Sequence, residues 1–380
     1  MKRHARLLST TVFAAVLAIA GSSQAATMFD PHQPSPTGSY LSGQAALRQM
    51  QAAPASSYLR DALEGEYNHP RVLQAAIIAF AADGRLEQAA AAARNMLEVD
   101  ASNPLARLVV ATEDLRQGRF NQVIAELHTL GPESFAGITG AIVRAWALIG
   151  EGRFDEAMTS LDPVAETGLG DFLVFHKSLM ADQAGLYDEA IRLMAQAYEA
   201  DPYVARIVEA YARMLGNRGR FDEAMDLLEA YEAEGLTHPL VAAVRTDIEA
   251  RRAPGAFAAS VQSGAAEMYH GIGVALARER NPELALMFLR IGLTLDPQAD
   301  VIAMVLGQFL DDANNHEAAN ALYDAVPAGS PMKPTAVVRM AENIDAMGDR
   351  TEALRRLNNI VTANPQDADA LSVLGDMQRD

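Results

Sequence analysis

The residues of this chain that could carry out chemistry are few, and their spacing fits no established type of reaction centre. Gly271-Ile272-Gly273 is similar to the start of a dinucleotide-binding turn, but a third glycine and a preceding strand pattern are missing. The chain has eight histidines and no cysteine, and no two histidines stand four residues apart, as helical zinc motifs require. We interpret His176 and His270 as solvated or groove-lining residues. The sequence therefore predicts no catalytic residue, no cofactor and no metal site, and an enzyme is not expected.

The elements that position all other side chains follow a regular repeat. Five segments begin with glycine and end with alanine or valine, and the intervals between their glycines are 34, 34, 33 and 34 residues. A fixed period of this length is typical of stacked helical hairpins. We therefore predict an array of repeats in place of one globular core. The five segments are Gly84–Ala89, Gly118–Val123, Gly152–Ala157, Gly185–Ala190 and Gly219–Ala224.

The pattern resembles the tetratricopeptide repeat, a helix–turn–helix unit of 34 residues, over about residues 36–380. In that register, repeats begin near residues 36, 70, 104, 138, 171, 205, 266, 300 and 334. Position 8 is small in every repeat except the second, which has Ile77. Proline occupies position 32 in four repeats, as Pro202, Pro297, Pro331 and Pro365. The resemblance implies an all-α fold, an α-solenoid of stacked hairpins forming a right-handed superhelix.

Local sequence explains how each hairpin turns. The glycine of the Gly-x-Phe/Tyr segment can end the first helix in a left-handed conformation. The aromatic residue that follows is expected to pack under the turn. The Asp or Asn next to it is expected to cap the second helix.

Departures from the repeat divide the chain into five segments. Ala224 and Ala285 are 61 residues apart, where two full repeats would give 68, so one unit between them is shortened. Arg251-Arg252-Ala253-Pro254-Gly255 interrupts that unit, and a bend is expected there. The predicted segments are a signal peptide (1–25), an extended lead-in (26–38), an N-terminal array of about six partly degenerate repeats (39–238), the atypical unit (239–265) and a C-terminal array (266–380).

The last repeat of the predicted array contains only a first helix. Leu371 and Leu374 stand at its packing positions, and no second helix follows before Asp380. Terminal repeats normally need a polar capping helix. We expect either that the chain continues past Asp380 or that another surface covers these leucines.

The first residues have the features of a Sec-type signal. A basic start precedes a 14-residue, mostly apolar run, Leu7–Ala20, and small residues precede a predicted cut between Ala25 and Ala26. That run is short against the roughly 20 residues of a membrane span. We therefore favour cleavage of this segment over its retention as a membrane anchor. The mature protein is then expected to be periplasmic or secreted, with no integral membrane span. A cysteine-free chain suits an oxidising periplasm.

The net charge of the chain limits the classes of partner that it is expected to bind. Cleavage would remove three positive charges and lower the net charge from −18 to −21. An acidic surface disfavours nucleic acid and anionic lipid as partners. We interpret the charge as a means of keeping the array soluble, with recruitment of a basic partner as the alternative.

The resemblance also implies which residues face a ligand, because the first helices of tetratricopeptide arrays line a concave groove. The inward positions are largely apolar in the repeats that begin at 104, 138 and 171, and more polar in later repeats. The lysine and asparagine of the carboxylate clamp found in chaperone-binding members are absent from those positions. The predicted groove residues are Leu108, Ile142, Trp146, Phe175, Leu179, Arg206, Glu209, Arg213, His270, Gln308 and Asp311.

Trp146 is the only tryptophan of the chain. In a groove it would be an aromatic anchor of the kind that dominates binding energy. Alternatively, the repeats around it are rotated, because Arg144 and Lys177 stand at a position that is normally apolar. Trp146 and its neighbours would then be core residues, and both interpretations stay open at this point.

These features predict a non-catalytic scaffold of the bacterial envelope that binds a peptide or protein segment in its groove. Similar envelope proteins imply a role in assembling an envelope, polysaccharide-export or secretion complex. The array could instead be the accessory region of a longer protein whose functional domain lies beyond Asp380. Direct polysaccharide binding is a further alternative, although one Trp offers few stacking platforms. The partner itself is not predicted.

Overall fold

Helical hairpins follow one another along residues 35–64, 69–131, 134–166 and 168–379, which a computed structural model describes. These residues form 21 helices and no strand. The predicted all-α solenoid is confirmed. The predicted signal peptide, with Ala25 and Ala26, and most of the lead-in lie outside the described residues.

First and second helices alternate as the repeat predicts. The observed first helices begin within three residues of the predicted starts, except α15, which begins five residues early at Val261. The first helices are α1 (Pro36–Arg48), α3 (Pro70–Ala82), α5 (Pro104–Arg116), α7 (Phe135–Gly150), α10 (Gly170–Gln183), α12 (Ala205–Asn217), α15 (Val261–Arg278), α17 (Asp300–Asp312) and α19 (Lys333–Ala346). The second helices are α2 (Ala52–Glu64), α4 (Leu86–Val99), α6 (Phe120–Leu127), α8 (Phe154–Ser160) with the short α9 (Asp162–Ala165), α11 (Tyr187–Ala200), α13 (Phe221–Ala233), α16 (Pro282–Leu295), α18 (His316–Ala325) and α20 (Arg350–Ala363).

The turns inside the hairpins use glycine as expected. Gly84, Gly118 and Gly152 have φ values of 78°, 72° and 71°, a left-handed conformation that glycine adopts without steric cost. The predicted Asp or Asn caps are wrong. Asp155 and Asp222 are the second residues of α8 and α13 and lie in their first turns. There the helix dipole favours their negative charge. The cap positions are held by arginines or Leu186 without a side-chain hydrogen bond.

The atypical unit contains a single helix. Helix α14 (Pro239–Glu249) packs on α12 and α13, and a non-helical stretch then leads to α15. The Nη1 atom of Arg213 donates to the carbonyl of Pro254 over 2.7 Å. The backbone N–H of Gly255 donates to Oδ1 of Asn217 over 3.0 Å. The stretch is thus fixed to α12. After the last full hairpin, α21 (Ala368–Arg379) packs against α19 and α20, and Leu371 is exposed.

The α15–α16 hairpin lies at the centre of the packing. Besides contacting each other, its helices pack against α1, α3, α7 and α10, which are first helices of earlier repeats. Most residues of both helices are buried, on all sides of each helix, as is typical of helices enclosed by protein. The array therefore closes around this hairpin, which occupies the inner face of the N-terminal repeats.

Specific contacts fix this central hairpin. The buried Tyr269 hydroxyl donates to Oγ1 of Thr112, which itself donates to the carbonyl of Leu108 over 2.7 Å. The Nε2 atom of Gln262 donates to the carbonyl of Leu115 over 3.0 Å. The rings of Phe135 and Phe288 lie 5.3 Å apart. These contacts join α15 to α5 and α16 to α7.

Glycine permits a close approach between α15 and Trp146 at Gly264. A Cβ atom at this position would lie 2.1 Å from the Trp146 ring, well inside van der Waals contact. We expect Gly264→Ala to lower the free energy of unfolding by about 1–3 kcal/mol, because a packed core resists added methyl groups. Urea unfolding, followed by circular dichroism and by Trp146 fluorescence, measures this.

Gly375→Ala is the matched control, because this helical glycine has no atom within 4 Å of an added Cβ. It should be neutral or raise stability by up to about 1 kcal/mol. Equal effects of the two substitutions would show that α15 does not pack on Trp146.

Candidate functional site

The apolar half of the predicted groove is filled by the chain itself. Leu108, Ile142 and Trp146 are each 0% exposed, and Trp146 lies directly beneath Gly264 of α15. Leu179 and Phe175 are also buried. The structure favours the interpretation of Trp146 as a core residue. Trp146 does face inward from a first helix, but α15 covers it there. A side chain with no exposed area offers no surface to a partner.

Four of the predicted polar residues come together with Glu267. The Nε and Nη2 atoms of Arg206 donate to the two carboxylate oxygens of Glu267 over 3.0 and 2.7 Å. The Nη1 atom of Arg206 donates to Glu209 over 2.6 Å, and Arg213 donates to the same carboxylate over 2.9 Å. Nδ1 of His270 lies 3.5 Å from Glu267. This ion-pair network joins α12 to the central hairpin.

Burial and the neighbouring charges shift the pKa of Glu267 in opposite directions. Burial by itself would raise the pKa of Glu267, but the Arg206 guanidinium and His270 outweigh it and hold that pKa far below its usual range. Glu267 is therefore a carboxylate at every physiological pH. Both acidic members of the network are buried, Glu209 and Glu267, so their arginine partners are indispensable.

An open cleft lies beside this network, between α10, α12, α15 and α17. It encloses about 520 Å³, a volume in the range of pockets that hold ligands. We call it the α10–α15 cleft. Its mouth is exposed, with Val204 at 38% exposure. The apolar residues that line it include Phe172, Phe175, Ile207, Val274 and Val305.

Two smaller cavities adjoin the α10–α15 cleft. One of about 480 Å³ shares Val274 and Val305 with it and reaches Gln308. The other, of about 290 Å³, shares Arg206 and Glu267 and lies on the far side of that ion pair. Of the predicted groove residues, the cleft thus includes Phe175, Arg206 and His270, and Gln308 lines its extension.

His176 lies in the wall of the α10–α15 cleft with neither ring nitrogen hydrogen-bonded. Its ring is enclosed by those of Phe172 and Phe175, with centroids 4.5 and 5.4 Å away. Burial lowers the pKa of His176 to about 4; the Glu267 carboxylate acts in the opposite direction and His270 in the same one. The imidazole is therefore neutral near pH 7.

Asp311 has a structural role outside the cleft. Its carboxylate accepts hydrogen bonds from the Tyr323 hydroxyl over 2.7 Å and from Nδ2 of Asn343 over 2.6 Å. It thereby joins α17, α18 and α19. Gln308, by contrast, is exposed and donates to Asp312 over 2.9 Å.

Phe257 is a residue beside the cleft that the repeat register did not identify. Phe257 packs edge-on against Phe175, with ring centroids 5.9 Å apart, and lies 4.1 Å beneath the Arg206 guanidinium. It belongs to the irregular stretch, where a repeat register assigns no role. The sequence did contain a signal for the central position of α16. This helix is apolar around most of its circumference, which predicts a helix enclosed by protein.

One part of the chain matches a known protein family. Residues 183–248 match the family model described as tetratricopeptide repeat, and the hairpin found there recurs through the described chain. Residues 183–248 of this chain therefore belong to the tetratricopeptide repeat family. Among curated protein sequences, no relative matches it.

Solved tetratricopeptide repeat proteins resemble it with low sequence identity. One from Parabacteroides merdae ATCC 43184 is 15% identical, with 73% of this chain and 100% of that chain covered and a TM-score of 0.45. YrrB, described as having an unusual peptide-binding site, is 16% identical, with 52% and 89% covered and a TM-score of 0.27. The P58(IPK) domain is 14% identical, with 90% and 97% covered and a TM-score of 0.26.

The helices were also compared with the requirements of a membrane span. Among residues 35–379, in the ranges that the structure describes, every helix is too short or too polar to cross a bilayer.

Removal of the Arg206 charge should destabilise the fold strongly. In Arg206→Met, two buried carboxylates lose their main partner while the apolar stem is kept, so the free energy of unfolding should fall by about 3–5 kcal/mol. Denaturant titration measures this. The double variant Arg206→Met/Glu267→Gln should recover part of the loss, because one uncompensated charge is gone.

Arg192→Met is the matched control for that substitution. Arg192 also pairs with a glutamate three residues away, Glu189, but both side chains are exposed, at 54% and 41%. A loss below about 1 kcal/mol is expected. Similar losses in Arg192→Met and Arg206→Met would contradict the importance assigned to the buried network.

The buried His176 should make stability depend on pH. Because its pKa falls from 6.5 to about 4 on folding, its contribution is complete above pH 6.5 and is lost as the pH falls towards 4. Between pH 7 and pH 4, His176→Leu should lose up to about 3 kcal/mol less stability than the wild type. Denaturant titrations at both pH values test this.

The exposed His128 supplies the control for this effect. His128→Leu should follow the pH profile of the wild type, which separates the effect of burial from general acid destabilisation. Parallel profiles for all three proteins would mean that His176 takes up its proton without unfolding.

Proposed function

We propose that this tetratricopeptide repeat protein is a non-catalytic scaffold of the bacterial envelope that binds a segment of a protein partner in the α10–α15 cleft. The observation that carries this proposal is the closure of the array. The central hairpin occupies the inner face of the N-terminal repeats, whereas the α10–α15 cleft keeps an apolar lining and an exposed mouth. Repeat arrays bind proteins through such concave surfaces.

The rigidity of the surroundings supports binding at this place. The bidentate Arg206–Glu267 pair, at 2.7 and 3.0 Å, fixes α12 relative to α15 across the cleft. Phe257 and Arg206 stack on one side, 4.1 Å apart. A preformed apolar cavity with a few fixed polar groups is the usual form of a binding site, since little ordering is needed on association.

The envelope location is proposed from the sequence. The basic start, the short apolar run and the small residues before Ala26 have the pattern of a cleaved secretory signal. An assembly role in an envelope, polysaccharide-export or secretion complex is consistent with this location.

Affinity capture from the envelope fraction tests the proposal, using the full-length chain with a C-terminal tag. We expect a reproducible protein partner in the wild type and its loss in Ala200→Trp, because Ala200 lines the cleft and a large ring would fill it. The intact mass of the tagged chain itself, measured after purification from the envelope fraction, should place its N-terminus near Ala26.

Ala363→Trp is the matched control. Ala363 is the last residue of a 14-residue second helix, as Ala200 is, and is exposed outside the cleft. It should retain the partner. Equal retention by both variants would show that the partner binds elsewhere on the array.

A further inference from the structure

We propose that the partner segment inserts a large apolar side chain into the α10–α15 cleft and places an arginine or lysine beside it. This inference rests on the proposed function and specifies the chemistry of the occupant. It follows from two properties of the cleft: an apolar lining, and carboxylates at its mouth that have no basic partner in the part of the chain that the structure describes.

The apolar lining sets the first requirement. Phe172, Ile207, Val274 and Val305 are all only partly buried in the chain alone, so their remaining surface can still be removed from water. Val204 extends this surface at the mouth, with 38% exposure, and its neighbour in sequence, Tyr203, is 58% exposed. Adjacent exposed apolar residues of this size are typical of a contact surface.

The uncompensated carboxylates set the second requirement. Asp171 and Asp201 line the cleft, and Asp296 and Asp300 line the cavity on the other side of the Arg206–Glu267 pair. Within the described ranges, no Lys or Arg forms an ion pair with any of these four. Asp201 and Asp296 accept only from the backbone N–H groups of Tyr203 and Gln298, over 3.2 and 3.1 Å.

The neighbouring cations are already engaged or distant. Arg206 and Arg213 are both bound to Glu209, and Arg206 also to Glu267. His176 is neutral at pH 7 and adds no charge. Arg278 and Asp312 line only the adjoining cavity, where their charges offset each other. The mouth next to Asp171 and Asp201 is therefore negative and complementary to a basic residue.

Two of these four carboxylates lie at the N-terminal ends of helices. Asp171 and Asp300 lie in the first turns of α10 and α17, where the positive end of the helix dipole favours an anion. A helix end removes no net charge from the site, so the attraction for a basic residue remains. At the mouth this attraction is weakened by salt.

Selection from a library of random twelve-residue peptides displayed on phage tests the proposal, with the mature full chain as target. The wild type should enrich peptides in which arginine or lysine adjoins leucine or an aromatic residue. A fluorescein-labelled copy of the most enriched peptide should bind Asp171→Asn/Asp201→Asn about fivefold more weakly, which corresponds to two exposed ion pairs. Its binding to the wild type should weaken with added sodium chloride, and less so in the double variant.

Asp188→Asn/Asp226→Asn is the matched control, because it removes two exposed carboxylates of α11 and α13 that do not line the cleft. It should bind the labelled peptide as the wild type does. Selected peptides without basic residues, or equal binding to both double variants, would overturn the proposal.

Ala200→Trp separates this inference from the proposed function. If that substitution abolishes peptide binding while Asp171→Asn/Asp201→Asn does not weaken it, the cleft is the binding site and the basic preference is wrong. If Ala200→Trp leaves binding unchanged, or if no peptide is enriched over a selection against Ala200→Trp, both proposals are overturned.

Discussion

The packing of the α15–α16 hairpin against the first helices of earlier repeats is the contact on which the rest of the structure depends. Each repeat in an open array buries its apolar surface only against its neighbours in sequence. Here, α15 also packs on Trp146 and forms a hydrogen bond with Thr112, and both residues lie more than 100 positions earlier in the chain. The hydrophobic effect that stabilises the hairpin also closes the array, because the same surfaces serve both purposes.

This closure determines where a partner can bind. If the inner face were empty, Trp146 would be available as an anchor for a partner. In this protein α15 covers the Trp146 ring, and Gly264 lets the two pack in direct contact. The inner face keeps an open cleft beside α10 and α12. The Arg206–Glu267 pair holds the two sides of that opening together.

The polar residues of the inner face divide into two groups with different physical roles. Those that are buried, such as Glu209 and Glu267, satisfy one another through arginines and so specify the geometry of the closed array. Those at the mouth, such as Asp171 and Asp201, have no basic partner among the described residues and remain available to a ligand. Burial distinguishes the groups, because a buried charge must be compensated within the protein, whereas an exposed one is solvated.

The sequence by itself determined the hairpins, their register and the glycine turns, because these depend on interactions between residues within one 34-residue unit. It also predicted a set of groove residues, of which Phe175, Arg206 and His270 line the cleft. It did not determine what covers those positions. It also did not determine the cap residues, because the cap of α8 is Arg153, two residues before the predicted Asp155. The contact of Gly264 with Trp146 joins residues 118 positions apart, and local periodicity carries no information about such pairs. Only the tertiary structure, in which α15 and α16 pack against first helices of earlier repeats, decided that the groove would be filled by the chain itself.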